Sequence, residues 1–592
     1  MIRYESNCWL FALLLALLLW PGAALHATDV LERTVHVRFN HTLLKTALEE
    51  IAREGQFEWS YNANILDENQ RVTLVADGWT VRETLLFVLG DQYTFKQNGE
   101  YLILKKQRKQ QPRLSGYISD QRTGQRMAGV TVYDRTTLRS TTTNKNGYYE
   151  LAVTPRSEIV VAKLAYRDTV LQVSPQTPRL VKLDLYIDTF PHDNTPRLSE
   201  QLNRLSVEME SFFVRSSQKL SALNVRDSLH RYFQLSFLPG LGTNRGLSGS
   251  VVNDWSVNVL AGYSRGNRMG EFAGLGNITR ENVSGFQGAG LFNIAGGDLG
   301  GVQAAGLFNN LGHSAAGVQL AGVYNFAGDT LRGAQFGGMA NLTRYAYPGA
   351  FQAAGVFNWA PEGQAGVQLA GVVNQASRVG FQAAGVLNSA DTLLGCQVSG
   401  VINRGGYVRG TQIGLINFAR EIHGVQIGLI NLSQHGGYIA LEASANDVLR
   451  ANVAFKSGVP GLYTILAAGA DPESPAQARF WAYGAGLGAR ARLTRWSGLS
   501  FDLIHRHLNQ GDLTDALQEW DQLASCFDLH LGKHLSIAGG PSANLYYADP
   551  AAADATGIRK RVVGRDWLDA SSNANGWLSA WWGWTAAVRL RF

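Results

Sequence analysis

Three cysteines in 592 residues are too few to hold a chain of this size together covalently. Cys8 precedes the first apolar run, and Cys396 and Cys526 stand alone, far from metal-ligand spacing. A disulfide framework and a cysteine-based metal site are therefore excluded, and the last two read as small apolar strand residues. Charge is scarce as well. Asp, Glu, Lys and Arg make up 17% of the chain, and the net charge of +6 comes with no long basic run, which speaks against nucleic-acid binding. After residue 20 there is no run of about 18 apolar residues, so no helix is expected to span a membrane. A mean hydropathy of −0.10 also excludes a polytopic helical membrane protein. Catalytic signatures are missing too. Gly484-Ala-Gly-Leu-Gly488 lacks dinucleotide-fingerprint spacing and lies in an alternating stretch, and no Walker loop, Ser/His/Asp set or paired-carboxylate pattern stands out. His505 and His507, two apart, with Asp502, Asp528 and His530 on neighbouring segments, could hint at a metal or acid–base site, but no third ligand has defined spacing. The expectation is a chain that is not an enzyme, with no catalytic, metal or cofactor-binding residues and no cofactor.

What the chain has is glycine, 65 residues of it, and a repeated phrase, roughly Gly-x-Gln-x-Ala-Gly-x-x-Asn, ten times between 285 and 431. Its Gln falls at Gln287, Gln303, Gln319, Gln335, Gln352, Gln368, Gln382, Gln397, Gln412 and Gln426. The spacing, about 14 to 17 residues, is too short for any helical repeat, which needs about 33 to 47. Each unit is therefore expected to be one β-strand and its turn. With alternating faces, Gln303 and Asn309 share one side of a strand while Val302, Ala304 and Phe308 share the other. The polar face is assigned to Gln287, Asn293, Gln303, Asn309, Gln319, Asn325, Gln352 and Asn358. Every charged residue of 285–431 lies between phrases. Two environments exclude charge in this way: the hydrocarbon of a membrane, crossed by a tilted strand of about 9 to 11 residues, and the dry interior of a stacked β-solenoid with internal Gln and Asn ladders. The last two phrases are irregular, because Gln412 and Asn417 are five apart and would face opposite ways on one strand.

Residues 1–27 read as a signal peptide, with Arg3, an apolar run from 9 to 20 and small residues at 22–27. Between 28 and 107 the pattern is strand (34–39), helix (43–51), strands (57–61, 71–75), helix (81–89) and a hairpin (93–105) around Asn98-Gly99. From 112 to 187 short strands follow at close spacing, as in a small β-sandwich. Residues 188–230 form a linker with a polar helical stretch, and 231–592 reads as strand after strand.

The order strand, helix, strands, helix, hairpin, with Gly78-Trp79-Thr80-Val81 opening the second helix, resembles the STN domain of secretins and TonB-dependent receptors. That resemblance implies a periplasmic docking module, often for an anti-sigma-type regulator. Gly116-Tyr-Ile-Ser-Asp120, Gly124, Ala128-Gly-Val-Thr-Val132 and Thr143 to Tyr149 resemble the carboxypeptidase-regulatory-like domain, a non-catalytic family. The pair in this order is similar to the head of Bacteroidota outer-membrane receptors, although no plug domain follows. The phrases resemble a surface-repeat family of outer-membrane and surface proteins.

The last stretch alternates strictly. Phe592, Leu590, Val588, Ala586, Trp584, Trp582, Ala580 and Leu578 form one apolar face; Arg591, Arg589 and Ser579 lie on the other, with Trp581 the exception there. Phe592, Leu590 and Val588 resemble the signal read by the outer-membrane barrel-assembly machinery. The expected fold is multidomain and mainly β: a small α+β domain, a β-sandwich, then a transmembrane antiparallel barrel of roughly 20–22 strands that includes the repeats, with a β-solenoid as the alternative for the repeat region. The expected place is the outer membrane with the N-terminal domains in the periplasm. The expected role is passive transport, surface structure or signalling to a periplasmic regulator, and the alternative is a surface-attached solenoid adhesin.

Overall fold

The computed structural model describes residues 29–188 except 62–64, 68, 91, 107–111 and 175, residues 203–549 except 474–478 and 514, and residues 566–568 and 577–592. The signal segment lies outside the described residues. The chain divides into two compact units, Met1–Pro191 and His192–Phe592.

In the first unit Thr34–Leu43 pairs antiparallel with Arg71–Thr80, and helices Leu44–Gly55 and Val81–Leu89 pack on them. Thr80 ends the strand and starts the helix. Its hydroxyl accepts from the Glu83 amide while the Glu83 carboxylate accepts from the Thr80 amide, a capping box that satisfies two otherwise unpaired donors. The hairpin Tyr93–Asn98 and Tyr101–Lys106 joins Glu58–Ser60 in a three-stranded sheet. These elements follow the expected order; the strands Thr34–Leu43 and Arg71–Thr80 and the first helix run longer than expected, while the strand Glu58–Ser60 is shorter. From Arg113 a sandwich follows, with four strands in one sheet and three in the other around Leu114, Ile118, Val132, Leu151 and Ile159. Gly116 is needed where it stands, because a β-carbon there would occupy the place of the Val181 carbonyl on the parallel neighbour strand.

The second unit opens with helices Asn203–Phe213 and Ser216–Asn224, and then becomes a parallel β-solenoid. Each coil contributes two strand segments instead of the expected one. Leu299–Ala305 carries Gln303, the chain bends at 306–307, and Phe308–Leu311 carries Asn309. Gly306 makes the bend possible, since a β-carbon there would meet the Gly290 carbonyl one coil below; Gly322 and Gly338 continue the same stack. Because the bend resets the strand phase, Gln412 and Asn417 both point inward despite their odd spacing. Every coil lies in register on the previous one, Gln303 beside Gln319 and Asn309 beside Asn325. Identical phrases bring Gln onto Gln only when they stack in parallel; antiparallel pairing would set Gln against the Asn end. The repeats are therefore a solenoid, the alternative reading, and form no part of the barrel wall.

The barrel comes after them. Tyr438–Asn446, Ala451–Val459, Leu462–Ala470, Phe480–Arg492, Ser497–Gln510, Gln518–Leu531, Leu535–Ala548 and Trp577–Arg591 pair antiparallel, and the last returns to the first with Leu441 opposite Leu590. The barrel thus has eight strands, not roughly 20–22, and begins at Tyr438 rather than near 231. A solenoid core of Leu299, Leu311, Leu331, Val379 and Leu393 extends to Val459 and Leu462 on the second and third barrel strands.

Candidate functional site

The polar face assigned from sequence lies inside the solenoid. Gln287, Asn293, Gln303, Asn309, Gln319, Asn325, Gln352 and Asn358 are all buried, at 0–1% exposure. They form two rows that run in opposite senses. In the Gln row each Nε2 donates to the Oε1 of the coil before: Gln303 to Gln287, Gln319 to Gln303, Gln352 to Gln335, at 2.8 to 2.9 Å. In the Asn row each Nδ2 donates to the coil after: Asn293 to Asn309, Asn309 to Asn325, Asn358 to Asn374, each at 2.9 Å. The amide dipoles of one row therefore oppose those of the other. Asn Nδ2 also reaches a backbone carbonyl at the bend, as from Asn309 to Leu320 at 2.7 Å, which ties the corner to the core. Buried amides are affordable only because nearly every donor and acceptor is matched.

Each row needs an end. The Gln row begins on Glu271, which occupies the Gln position one coil before Gln287 and accepts from Gln287 Nε2 at 2.8 Å, from Thr279 Oγ1 at 3.1 Å and from Asn258 Nδ2 at 3.3 Å. A carboxylate, which only accepts, suits the end of a row that points its donors that way. Burial pushes the Glu271 carboxyl up, against the hydrogen bonds from Gln287, Thr279, Asn258 and Ser256 that favour its charge. A carboxyl raised on folding contributes stability that is fully present below its unfolded value, about 4.3, and is lost as the pH rises through the folded one. Glu271→Gln is thus expected to remove this contribution and flatten the pH dependence of the chemical denaturation midpoint between about pH 4 and neutrality. The Asn row ends on the barrel, where Asn431 Nδ2 donates to Thr464 Oγ1 at 2.6 Å and its amide donates to Ser457 Oγ at 3.0 Å.

The barrel interior holds a charge network. Arg589, on the last strand, donates to Glu442 from Nε, to Asp528 and Ser500 from Nη1 and to Asp502 from Nη2. Lys456 donates to Glu442 and, at 2.7 Å, to Asp502, whose other oxygen accepts from Tyr463 at 2.6 Å. All are buried. Trp581, the exception on the polar face, is also inside, its Nε1 on Asp447 at 2.6 Å. Alternate residues face out: Phe592, Leu590 and Val588 are 70%, 45% and 48% exposed.

The histidines do not join this network. His505 and His507 lie on the outer face, against Asp521 and Glu519, while Asp502 and Asp528 lie inside with Arg589, so the wall separates the groups that sequence proximity brought together. No group of three or more His, Cys, Asp or Glu placed to hold a metal occurs among the described residues. Sequence analysis missed Glu442, Lys456 and Arg589 as one set, and Glu271 as the start of the row.

In the first unit, residues 114–189 match the family described as CarboxypepD_reg-like domain. This segment is a CarboxypepD_reg-like domain. No curated protein and no solved structure matches the chain. The CarboxypepD_reg-like domain joins the preceding α+β domain through polar contacts: Tyr117 hydroxyl to Thr80 Oγ1 at 2.8 Å, Asn146 Nδ2 to Glu32 at 2.9 Å, and the Arg82 guanidinium over the Tyr148 ring. Such stacked, charge-assisted contacts hold the two as one piece.

Proposed function

We propose that the eight-strand barrel is a closed anchor in the outer membrane, and that the solenoid and the N-terminal domains work in the periplasm as non-enzymatic modules that contact other proteins. The observation that carries this is the sorting of the barrel's two faces. Charged residues fill the inside, while Phe501, Leu503, Leu523, Phe527, Trp582 and Trp584 stand exposed outside, an arrangement that suits lipid and would leave a large apolar surface in water. Eight strands leave an interior just wide enough for side chains, and the network around Arg589 occupies it, which favours an anchor over passive passage.

Connection lengths support the orientation. The strand ends that flank 460–461, 493–496 and 532–534 lie at one end of the barrel; those that flank 447–450, 471–479, 511–517 and 549–576 lie at the other. Short periplasmic turns and longer outer loops are the rule for such barrels. The chain enters at Tyr438 on the short-turn end, where the Phe592 amide donates to the Ile439 carbonyl at 3.0 Å. The preceding chain then stays in the periplasm. The STN-like reading of 28–107 adds a docking partner of the anti-sigma-regulator type, with signalling as the role and a Bacteroidota-type envelope as the setting. Phe592, Leu590 and Val588 would be the contacts for the barrel-assembly machinery.

A surface adhesin would place the solenoid outside. An epitope inserted after Asp549 should be labelled on intact cells, and one inserted at His313 only after the outer membrane is permeabilised. The reverse pattern would assign the adhesin, and a soluble full-length protein without heat-modifiable mobility would remove the membrane reading altogether.

A further inference from the structure

Interior packing explains why the inward Gln, Asn, Ala and Leu of the repeats carry no charge. It does not explain the outward positions of the same phrases. The residue after each Gln points out of the solenoid, and Phe272, Leu320, Phe336, Val398, Ile413 and Ile427 are 37–44% exposed there. The corner residue after each bend glycine points out as well: Leu291, Leu307, Met339, Val356, Val372 and Leu415 are 37–53% exposed. Alanines such as Ala305, Ala321, Ala354 and Ala370 fill the floor between the two ridges. Eleven rows, from Glu271 to Gln426, at about 4.8 Å each make an uncharged apolar strip roughly 50 Å long. Such a strip greatly exceeds the apolar patches of about a few hundred Å² that soluble surfaces carry without a purpose.

We infer that this strip lies on the lipid of the membrane that holds the barrel; the inference rests on the outer-membrane reading above. The junction fixes its place. Ser457, Val459, Leu462 and Thr464 alternate with the inward Lys456 and Tyr463, so they face out of the barrel, and they close the end of the solenoid through Thr464 Oγ1 to the Gly428 carbonyl and the Asn431 contacts. The solenoid axis therefore meets the outer wall of the barrel beside the short 460–461 turn, and runs sideways from a surface that itself faces lipid. A body attached there meets the bilayer along its length, and only one of its sides is free of charge. The strip also offers no periodic polar group by which a protein partner would be recognised, whereas hydrocarbon requires none.

Spin labels test this on the full chain in lipid nanodiscs, with Cys8, Cys396 and Cys526 replaced by alanine. Labels at Val356→Cys and Leu415→Cys on the strip are compared with Leu503→Cys on the barrel and Glu362→Cys on a charged corner. The expected result is oxygen accessibility relative to a water-soluble nickel reagent at Val356 and Leu415 close to that at Leu503, and several-fold above that at Glu362. Water-like values on the strip with a lipid-like value at Leu503 would overturn this inference alone. Exclusion of both reagents from the strip together with spin–spin broadening between molecules would assign the face to a second copy and overturn it too. Water-like values at Leu503 as well would overturn the barrel reading with it.

Discussion

Replacing Arg589 by methionine should cost the barrel about 3–5 kcal/mol, the usual penalty when one partner of a buried charge cluster is removed. Arg589 bridges three carboxylates, Glu442, Asp502 and Asp528, contributed by the first, fifth and sixth barrel strands. Without it Lys456 remains against Glu442 and Asp502, and Asp528 loses the hydrogen bond it accepts from the Arg589 guanidinium. The seam between first and last strands would weaken most, because Arg589 sits directly opposite Glu442 across that pairing. Heat-modifiable gel mobility and urea unfolding in detergent would show the loss. Arg591→Met is the control: that side chain lies near the rim and donates to the Gly532 and Leu535 carbonyls, so its removal should shift the midpoint far less. Adding Glu442→Gln to Arg589→Met should recover part of the loss, and the recovered fraction measures the coupling between the two groups. Equal midpoints for Arg589→Met and the unaltered chain would mean that the interior is wet enough to solvate the carboxylates, and the anchor reading would give way to a hydrated pore.

Much of this network was readable in principle. In Phe501-Asp502-Leu503 and Val588-Arg589-Leu590 a charge stands between two apolar residues, which on a strand means charge on one face and lipid-compatible residues on the other. The same alternation on the final strand puts Phe592, Leu590 and Val588 on one face, and all three are exposed. Strand alternation could not say which charges meet, since Glu442 and Arg589 are 147 residues apart and only closure brings them together. His505 and Asp502 are parted by alternation itself, because an odd separation on a strand places side chains on opposite sides of the wall. In the solenoid alternation sets Gln and Asn on one face and both rows are buried, but alternation does not continue across the bend, which resets it. The clue was the spacing. Units of about 16 residues leave short connections at both ends, where membrane barrels carry longer loops on one side, and the glycine before each exposed Leu or Val marks the corner.

The rows make a second large effect follow from a single atom. Gln352→Glu exchanges a donor for an acceptor in mid-row, where Gln335 Oε1 expects a hydrogen and receives a negative oxygen instead. Gln368 still donates to the new side chain, but the charge is buried and unpaired, and a loss of about 3–5 kcal/mol is expected at neutral pH. Protonation restores the rung, because a neutral carboxyl can donate to Gln335. The carboxyl is raised on folding, so the variant should be near wild type below about pH 4 and lose stability as the pH rises. Gln352→Leu gives the contrast: one acceptor and one donor lose partners, for about 1–3 kcal/mol, with no dependence on pH. Since each coil touches only its neighbours, hydrogen exchange should quicken in the coils around Gln352 and spare those near Glu271 and Asn431. Glu271 itself shows why position decides the outcome. A carboxylate is accommodated at the start of the row, where donors from Gln287, Thr279 and Asn258 converge, joined by Ser256, and no acceptor waits behind it. If Gln352→Glu proved as stable as the unaltered chain at neutral pH, the Gln row would have no fixed direction, and the role of Glu271 as its terminus would fall with it.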